Sequence, residues 1–301
     1  MQPICDSKLS GYSITGRPRR IRLPLGFTLI ELMTVVAIVS ILAALLLPAL
    51  SRSKSRAQAI FCMNNNKQLT IAWTMYSDDN NQQLVNNLGG NAQLRGFAPP
   101  QDPNWVNNIM DWSLNPDNTN IAFVNTSMLG SYASYAPTVY RCPADRALSD
   151  SQRGAGWTSR IRSVSMNAMV GNPGALLQNG ANLNNPNYRQ YLKESDIRQP
   201  AMTFLFLDEH PDSINDGYFL SSTYEMEWID LPASYHNGGG SFSFADGHTE
   251  VHRWLSDSTK VPALPYAAAL PFAVRQADRA DYDWIKRRTS VEQSSAYAHY
   301  P

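Results

Sequence analysis

Histidines and carboxylates of the kinds that bind divalent cations gather in two stretches of this chain. Asp208-Glu209-His210 closes the apolar run Met202–Leu207, and His236, Asp246, His248, Glu250 and His252 follow. Zinc takes imidazole and carboxylate donors and calcium takes carboxylate oxygens, so Asp208, Glu209, His236, Asp246 and His248 form a candidate set for calcium or another divalent cation. Spacing limits that idea. At about 3.3 Å per strand residue, His248 and His252 lie about 13 Å apart and cannot share one ion. The competing account is a solvated face of an edge hairpin. Asp212–Gly217 starts like a calcium loop but lacks its middle ligand and its bidentate Glu, and reads as a polar turn. No nucleophile elbow, phosphate loop, His-Glu-x-x-His or dinucleotide fingerprint occurs, so no enzymatic activity is expected.

Glu31 is the other residue whose setting calls for an explanation. It is the only formal charge between Phe27 and Leu50. A helix over that run reaches roughly 36 Å at about 1.5 Å per residue, enough for a hydrocarbon core of about 30 Å. A carboxylate in such a helix costs about 2.5–3.5 kcal/mol on insertion scales, so it is normally paired and functional. The alternative is a carboxylate that lies near the helix end and reaches the headgroups. Lys8, Arg17, Arg19, Arg20 and Arg22 precede the run against the single acid Asp6, which sets the N-terminus in the cytoplasm and everything after Leu50 across the membrane. A secretory signal peptide is the rival reading, but Pro48-Ala49-Leu50 lacks the small-x-small cleavage pattern.

The elements that must position these residues follow from periodicity and turn chemistry. Phe61, Leu69, Ala72, Trp73 and Tyr76 recur at helical spacing, so the apolar helix continues as an amphipathic one to about Tyr76, ending before Ser77-Asp78-Asp79-Asn80-Asn81. Residues 79–130, rich in Asn, Gln, Gly and Pro, read as surface loops around Trp105 and Trp112. Strands are expected at Thr138–Arg141, Arg160–Asn167, Met202–Leu207 and Tyr218–Leu220, with loop from Gly171 to Asn187. Asp246-Gly247 between alternating runs predicts a two-residue type I′ hairpin. In that register Phe244 faces Thr249 and Phe242 faces Val251, while the histidines share the other, polar side.

Composition permits one large domain or two small ones: 301 residues, 43% hydrophobic and only 17% charged. Without residues 1–26, 20 bases stand against 24 acids, and this mildly acidic balance argues against nucleic acid as a partner. No repeat of solenoid or propeller length is visible.

At Gly26-Phe27-Thr28-Leu29-Ile30-Glu31-Leu32 the chain resembles the type IV pilin and type II secretion pseudopilin family, whose signature is a basic leader ending in Gly ahead of Phe-Thr-Leu-Ile-Glu-Leu and an apolar stretch. The resemblance implies cleavage between Gly26 and Phe27 by a prepilin peptidase, methylation of the new Phe27 amine, and neutralisation of a neighbouring subunit's amine by Glu31 in a helical filament. Partners so implied are the peptidase, other pilin or pseudopilin subunits and the inner membrane. Pro48 falls where pilin helices often bend. The chain is also similar to a set of pilin-like proteins with a C-terminal His-x9-Asp-Gly motif, here His236, Asp246 and Gly247. That set carries Cys-x-Asn-Asn with Lys-Gln-Leu, matched by Cys62–Leu69, and Cys-Pro before an acid, matched by Cys142-Pro143-Ala144-Asp145.

With Cys5 removed in the leader, Cys62 and Cys142 remain, and an even pair in an oxidising compartment reads as one disulfide, against the alternative of two buried free thiols. The expected architecture is α+β and pilin-like. A leader (1–26), a transmembrane half-helix (27–50), an amphipathic half-helix (51–78), an antiparallel head domain (79–260) and a C-terminal extension (261–301) make up the chain. The expected function is a filament subunit; a membrane-tethered binding or metal-dependent domain with a borrowed export signal is the alternative. Mass spectrometry of the mature protein should find methylated Phe27 at the N-terminus, and Gly26→Trp should block the cut. An intact residue 1, or cleavage beyond Leu50, removes the basis of this assignment.

Overall fold

A computed structural model describes residues 26–89 and 103–293. The leader before Gly26, residues 90–102 and the tail expected to fray from Ser294 lie outside the described residues. The chain divides into two compact units, Met1–Ala49 and Leu50–Pro301. In the first, helix α1 (Leu29–Asp79) begins on a capping box. The Thr28 hydroxyl accepts from the Glu31 amide at 3.2 Å and the Glu31 carboxylate accepts from the Thr28 amide at 2.9 Å, so two amides left open at a helix start are bonded reciprocally. Gly26 to Leu50 is exposed throughout, and this half of α1 is long and apolar enough to cross a membrane.

The second unit holds the rest of α1, short helices α2 (Ala122–Asn125) and α3 (Asp150–Gly154), strands β1 (Val164–Asn167), β2 (Leu177–Gln178), β3 (Ala181–Asn182), β4 (Phe204–Asp208), β5 (Tyr218–Phe219), β6 (Glu227–Trp228), β7 (Gly239–Phe244), β8 (Thr249–Arg253) and β9 (Phe272–Ala273), and helix α4 (Arg279–Thr289). The fold is α+β. Its main sheet has the order β5-β1-β4-β7-β8, antiparallel except where β5 joins β1. β4 and β7 are buried along their whole length, as their continuous small and apolar runs require.

The hairpin register differs from the expected one by a residue. Ser243 pairs with Thr249, Phe242 with Glu250 and Ser241 with Val251. The loop is three residues long: the Phe244 carbonyl accepts from the Gly247 amide at 2.8 Å, the Phe244 amide donates to the His248 carbonyl at 3.0 Å, and Gly247 takes a φ of +85°. This is a type I turn closed by a left-handed glycine, the other common hairpin solution. A one-residue slip exchanges faces. Phe242 and Phe244 therefore share a side with the histidines: His248 stacks on Phe244 at 4.2 Å and His252 on Trp284 at 3.8 Å. The solvated histidine face is thus replaced by an aromatic one.

That aromatic face is covered from the C-terminal segment. Tyr282 and Ile285 of α4 join Phe204, Leu207, Phe219, Trp228, Phe242, Phe244 and Trp254 in one buried cluster. Residues expected as an appended extension thus build core. A bulge between Phe204 and Phe206 turns Leu205 and Phe206 into the second cluster, with Leu69 and Trp73 of α1, Trp105, Val164 and Met166. Leu69, Ala72 and Trp73 of the expected stripe are buried, whereas Phe61 is exposed.

Other expectations change for local reasons. Thr138–Arg141 does not form a strand: Pro137 opens a 3-10 turn over Pro137–Tyr140, where its fixed φ suits a helical start. Only Val164–Asn167 of Arg160–Asn167 is a strand, and a 3-10 turn at Pro200–Met202 delays β4 to Phe204. Within the expected loop 171–187, Asn179 and Gly180, with φ of 52° and 81°, form the two-residue turn joining β2 to β3. The described part of the Asn-rich segment is not all surface loop either, since Asn87, Asn104, Asn108 and Asn118 are buried. Their amides replace missing ladder bonds: Asn87 donates to the Asn167 carbonyl at 2.9 Å, and Asn118 accepts from the Asp111 amide at 3.0 Å.

Truncation of Ile285 to Ala should destabilise the head domain by about 2–5 kcal/mol, the usual cost of an emptied core position. Urea unfolding of the full chain in detergent, followed by Trp fluorescence, reads this directly. An unchanged midpoint would show that α4 is peripheral.

Candidate functional site

The three motif segments meet where the outer half of α1 crosses the sheet. Cys62 is bonded to Cys142, with Cα atoms 5.1 Å apart. One turn further, the Asn65 amide donates to the carbonyls of Thr138 and Arg141 at 3.2 and 3.0 Å. Asn66 donates to Ser241 Oγ on β7 at 3.1 Å, and Lys67 Nζ reaches the Gly247 carbonyl of the hairpin turn at 2.5 Å. Successive side chains on a helix point about 100° apart, so Asn65, Asn66 and Lys67 reach different partners. The sequence Cys-x-Asn-Asn-Asn-Lys is therefore a clasp.

The His236 end of the motif is set by a turn that periodicity does not reveal. Asn237 and Gly238 carry φ of 53° and 81°, and the His236 amide donates to the Gly239 carbonyl at 3.0 Å, so β7 starts immediately after a two-residue reversal. Asn-Gly was the available signal for it. The nine residues between His236 and Asp246 are this reversal, the six residues of β7 and the first turn residue. At about 3.3 Å each, β7 alone spans about 20 Å and holds His236 and Asp246 at opposite ends.

The candidate metal set accordingly separates. Asp208 and His236 come together, with Oδ2 and Nε2 3.2 Å apart, and the Ser241 amide donates to the same Oδ2 at 3.2 Å. Asp246 and His248 instead bond each other at the hairpin turn, at 2.5 Å. Glu209 follows Asp208 in an extended segment, and alternation sends it to the opposite side, among Arg162, Asp216 and Asp230. Among the described residues one group of three or more soft or acidic donors converges: Cys62, Cys142, Asp208 and His236, whose ligand atoms all lie within 4.8 Å of one another. His236 Nε2 lies 3.5 Å from Cys142 Sγ. The disulfide occupies both sulfurs, which argues against a metal in this state.

Beside this cluster a cleft of about 280 Å3 opens between α1 and the hairpin, lined by Ser55, Arg56, Ile60, His236, Asn237 and Arg253, among others. Comparison of the chain with family models, curated proteins and solved structures finds no match.

The opposite side of β4 carries a buried charge cluster that the sequence pattern did not single out. Arg162 is fully buried and donates to Asn108 Oδ1, the Val164 and Asp216 carbonyls and Ser165 Oγ. Burial, opposed by Ser165 and Arg162, pushes the Glu209 carboxyl up to about 8. Burial and then the Glu209 charge raise Asp230 well above the ordinary carboxylate range.

These raised carboxyls make stability pH-dependent. The folded chain holds a proton on Glu209 up to about pH 8, while the unfolded chain loses it near the ordinary Glu value, so stability is greatest below that value and falls as pH rises through 8. His252, pushed down to about 4 chiefly by burial, acts in the opposite sense below about pH 6.5. Between pH 6.5 and 8 the raised carboxyls dominate, and the Glu209 proton alone should lower the unfolding free energy by about 2 kcal/mol. Glu209→Gln should flatten that slope. Equal urea midpoints for the native chain at both pH values would refute the assignment.

Proposed function

We propose that the chain is a structural subunit of a helical filament of the type IV pilus or type II secretion pseudopilus kind. In this reading a prepilin peptidase cuts between Gly26 and Phe27, Phe27 is methylated, and the 27–50 half of α1 waits in the inner membrane with the head domain outside. The observation that carries it is Glu31: a carboxylate in the first turn of an unburied apolar helix that runs on without a break into a clamped head domain. An anchor alone does not need a charge there. A filament that packs such helices together does, because the free amine of Phe27 must be neutralised once it leaves water.

The capping box gives Glu31 a second role that a test must separate. Glutamine preserves the box and removes the charge; alanine removes both. Both Glu31→Gln and Glu31→Ala should insert normally and lose filament incorporation by tenfold or more, read as sheared filament yield against total protein. Assembly retained in Glu31→Gln but lost in Glu31→Ala would reduce Glu31 to a helix cap. Normal filaments from both would remove its role altogether.

The cleft beside His236 favours a second reading, a membrane-tethered binding domain that uses a pilin-type export signal. Recovery of the native protein only as separate membrane subunits would select it.

A further inference from the structure

The Cys62–Cys142 bond lies within a set of four potential zinc ligands whose donor atoms are all within 4.8 Å of one another. A zinc ion with bonds of about 2.3 Å to sulfur and about 2.0–2.2 Å to nitrogen and oxygen requires ligand edges of about 3.6 Å between sulfur and nitrogen and about 3.4 Å between nitrogen and oxygen. Cys142 Sγ and His236 Nε2 are 3.5 Å apart, and His236 Nε2 and Asp208 Oδ2 are 3.2 Å apart. Two edges therefore stand at coordination length before any ion enters. All four donor atoms lie within 4.8 Å of one another, and reduction frees the two sulfurs to separate.

Two further observations point to a cation. Asp208 is fully buried, and its Oδ1 has no hydrogen-bond partner among the described residues. Such a buried acceptor is costly unless something positive meets it. A cleft lined in part by His236, Asn237 and Arg253 adjoins the same histidine. The set of two thiolates, one imidazole and one carboxylate suits zinc better than calcium, which prefers oxygen alone.

We propose that Cys62, Cys142, Asp208 and His236 form a redox-gated zinc site, closed as the disulfide and open to Zn2+ when the pair is reduced. A dithiol or phosphine reductant supplies two electrons. With a dithiol, the sulfur–sulfur bond breaks, two protons come to the cysteines, and the reductant leaves as its own disulfide. Zn2+ then displaces both thiol protons and takes Nε2 of a neutral His236 and a carboxylate oxygen of Asp208. The clasp between α1 and the head domain is thereby kept in either redox state, by a covalent bond or by the ion. This inference does not rest on the filament reading.

Cobalt(II) reports such a site through its spectrum. The full chain in detergent, reduced with a phosphine and given one equivalent of Co2+, should develop thiolate-to-cobalt charge transfer and the visible bands of tetrahedral cobalt, both bleached by Zn2+. The unreduced chain should show neither. His236→Gln and Asp208→Asn should each weaken cobalt affinity by about tenfold or more. If reduction loosens the head domain, Co2+ should restore its near-UV circular dichroism along with the colour. A reduced chain that stays folded without the tetrahedral spectrum overturns the proposal, as does one that loosens and is not restored. So does equal cobalt affinity in the native chain and both variants, which would leave a cysteine pair with solvent as the whole site.

Discussion

The attachment of the helical segment Cys62 to Lys67 to four distant points of the chain is the constraint on which the head domain depends. Its bonds reach Cys142, the 138–141 turn, the middle of β7 and the hairpin carbonyl of Gly247. The disulfide closes a separation of 80 residues, worth about 4.5 kcal/mol in the chain-entropy account. The polar bonds add direction, since each fixes one partner at a defined height along the helix. A face held only by Leu69, Ala72 and Trp73 could slide; one that also satisfies Asn65, Asn66 and Lys67 cannot do so without orphaning buried amides.

Around this clasp the domain solves a shortage of regular structure. Its strands are short, and long connections run through the interior, where every backbone group needs a partner. Asparagine supplies many of them. Asn87, Asn104, Asn118, Asn167 and Asn185 are buried and each bonds backbone groups in another segment or turn. The abundance that resembles a solvated loop composition is in fact interior scaffolding. The same economy places Arg162 beneath the sheet, where one guanidinium ties Asn108, Val164, Ser165 and Asp216 together. Its charge in turn draws Glu209 inward, at the cost of a carboxyl that ionises only near pH 8.

The hairpin shows how a small local choice decides chemistry. Three loop residues instead of two move His248 and His252 from a polar face to an aromatic one. His252 then stacks on Trp284, whose indole also meets Phe242, Trp254 and, at 4.1 Å, the Arg288 guanidinium. An imidazole half-buried in that stack, pushed down to about 4 chiefly by desolvation, is held neutral and is packing rather than ligand. His236, fixed by its own Asn-Gly reversal, faces Asp208 and the cysteine pair.

Local sequence alone determined the apolar helix, its acidic first turn, a buried strand within Met202–Leu207 and the existence of a hairpin at Asp246-Gly247, because each is written in periodicity or turn chemistry within a few residues. It also marked the segments Cys62–Leu69, Cys142–Asp145 and His236–Gly247 as distinctive. What it could not supply was their meeting. Whether Asp208 turns toward His236 and Glu209 away, whether the loop after Phe244 holds two residues or three, and whether α4 lies on the sheet depend on contacts between residues tens to hundreds of positions apart. Only the tertiary structure decided those, because a strand carries no record of which neighbour will cover each face, and a one-residue change in register reverses the answer.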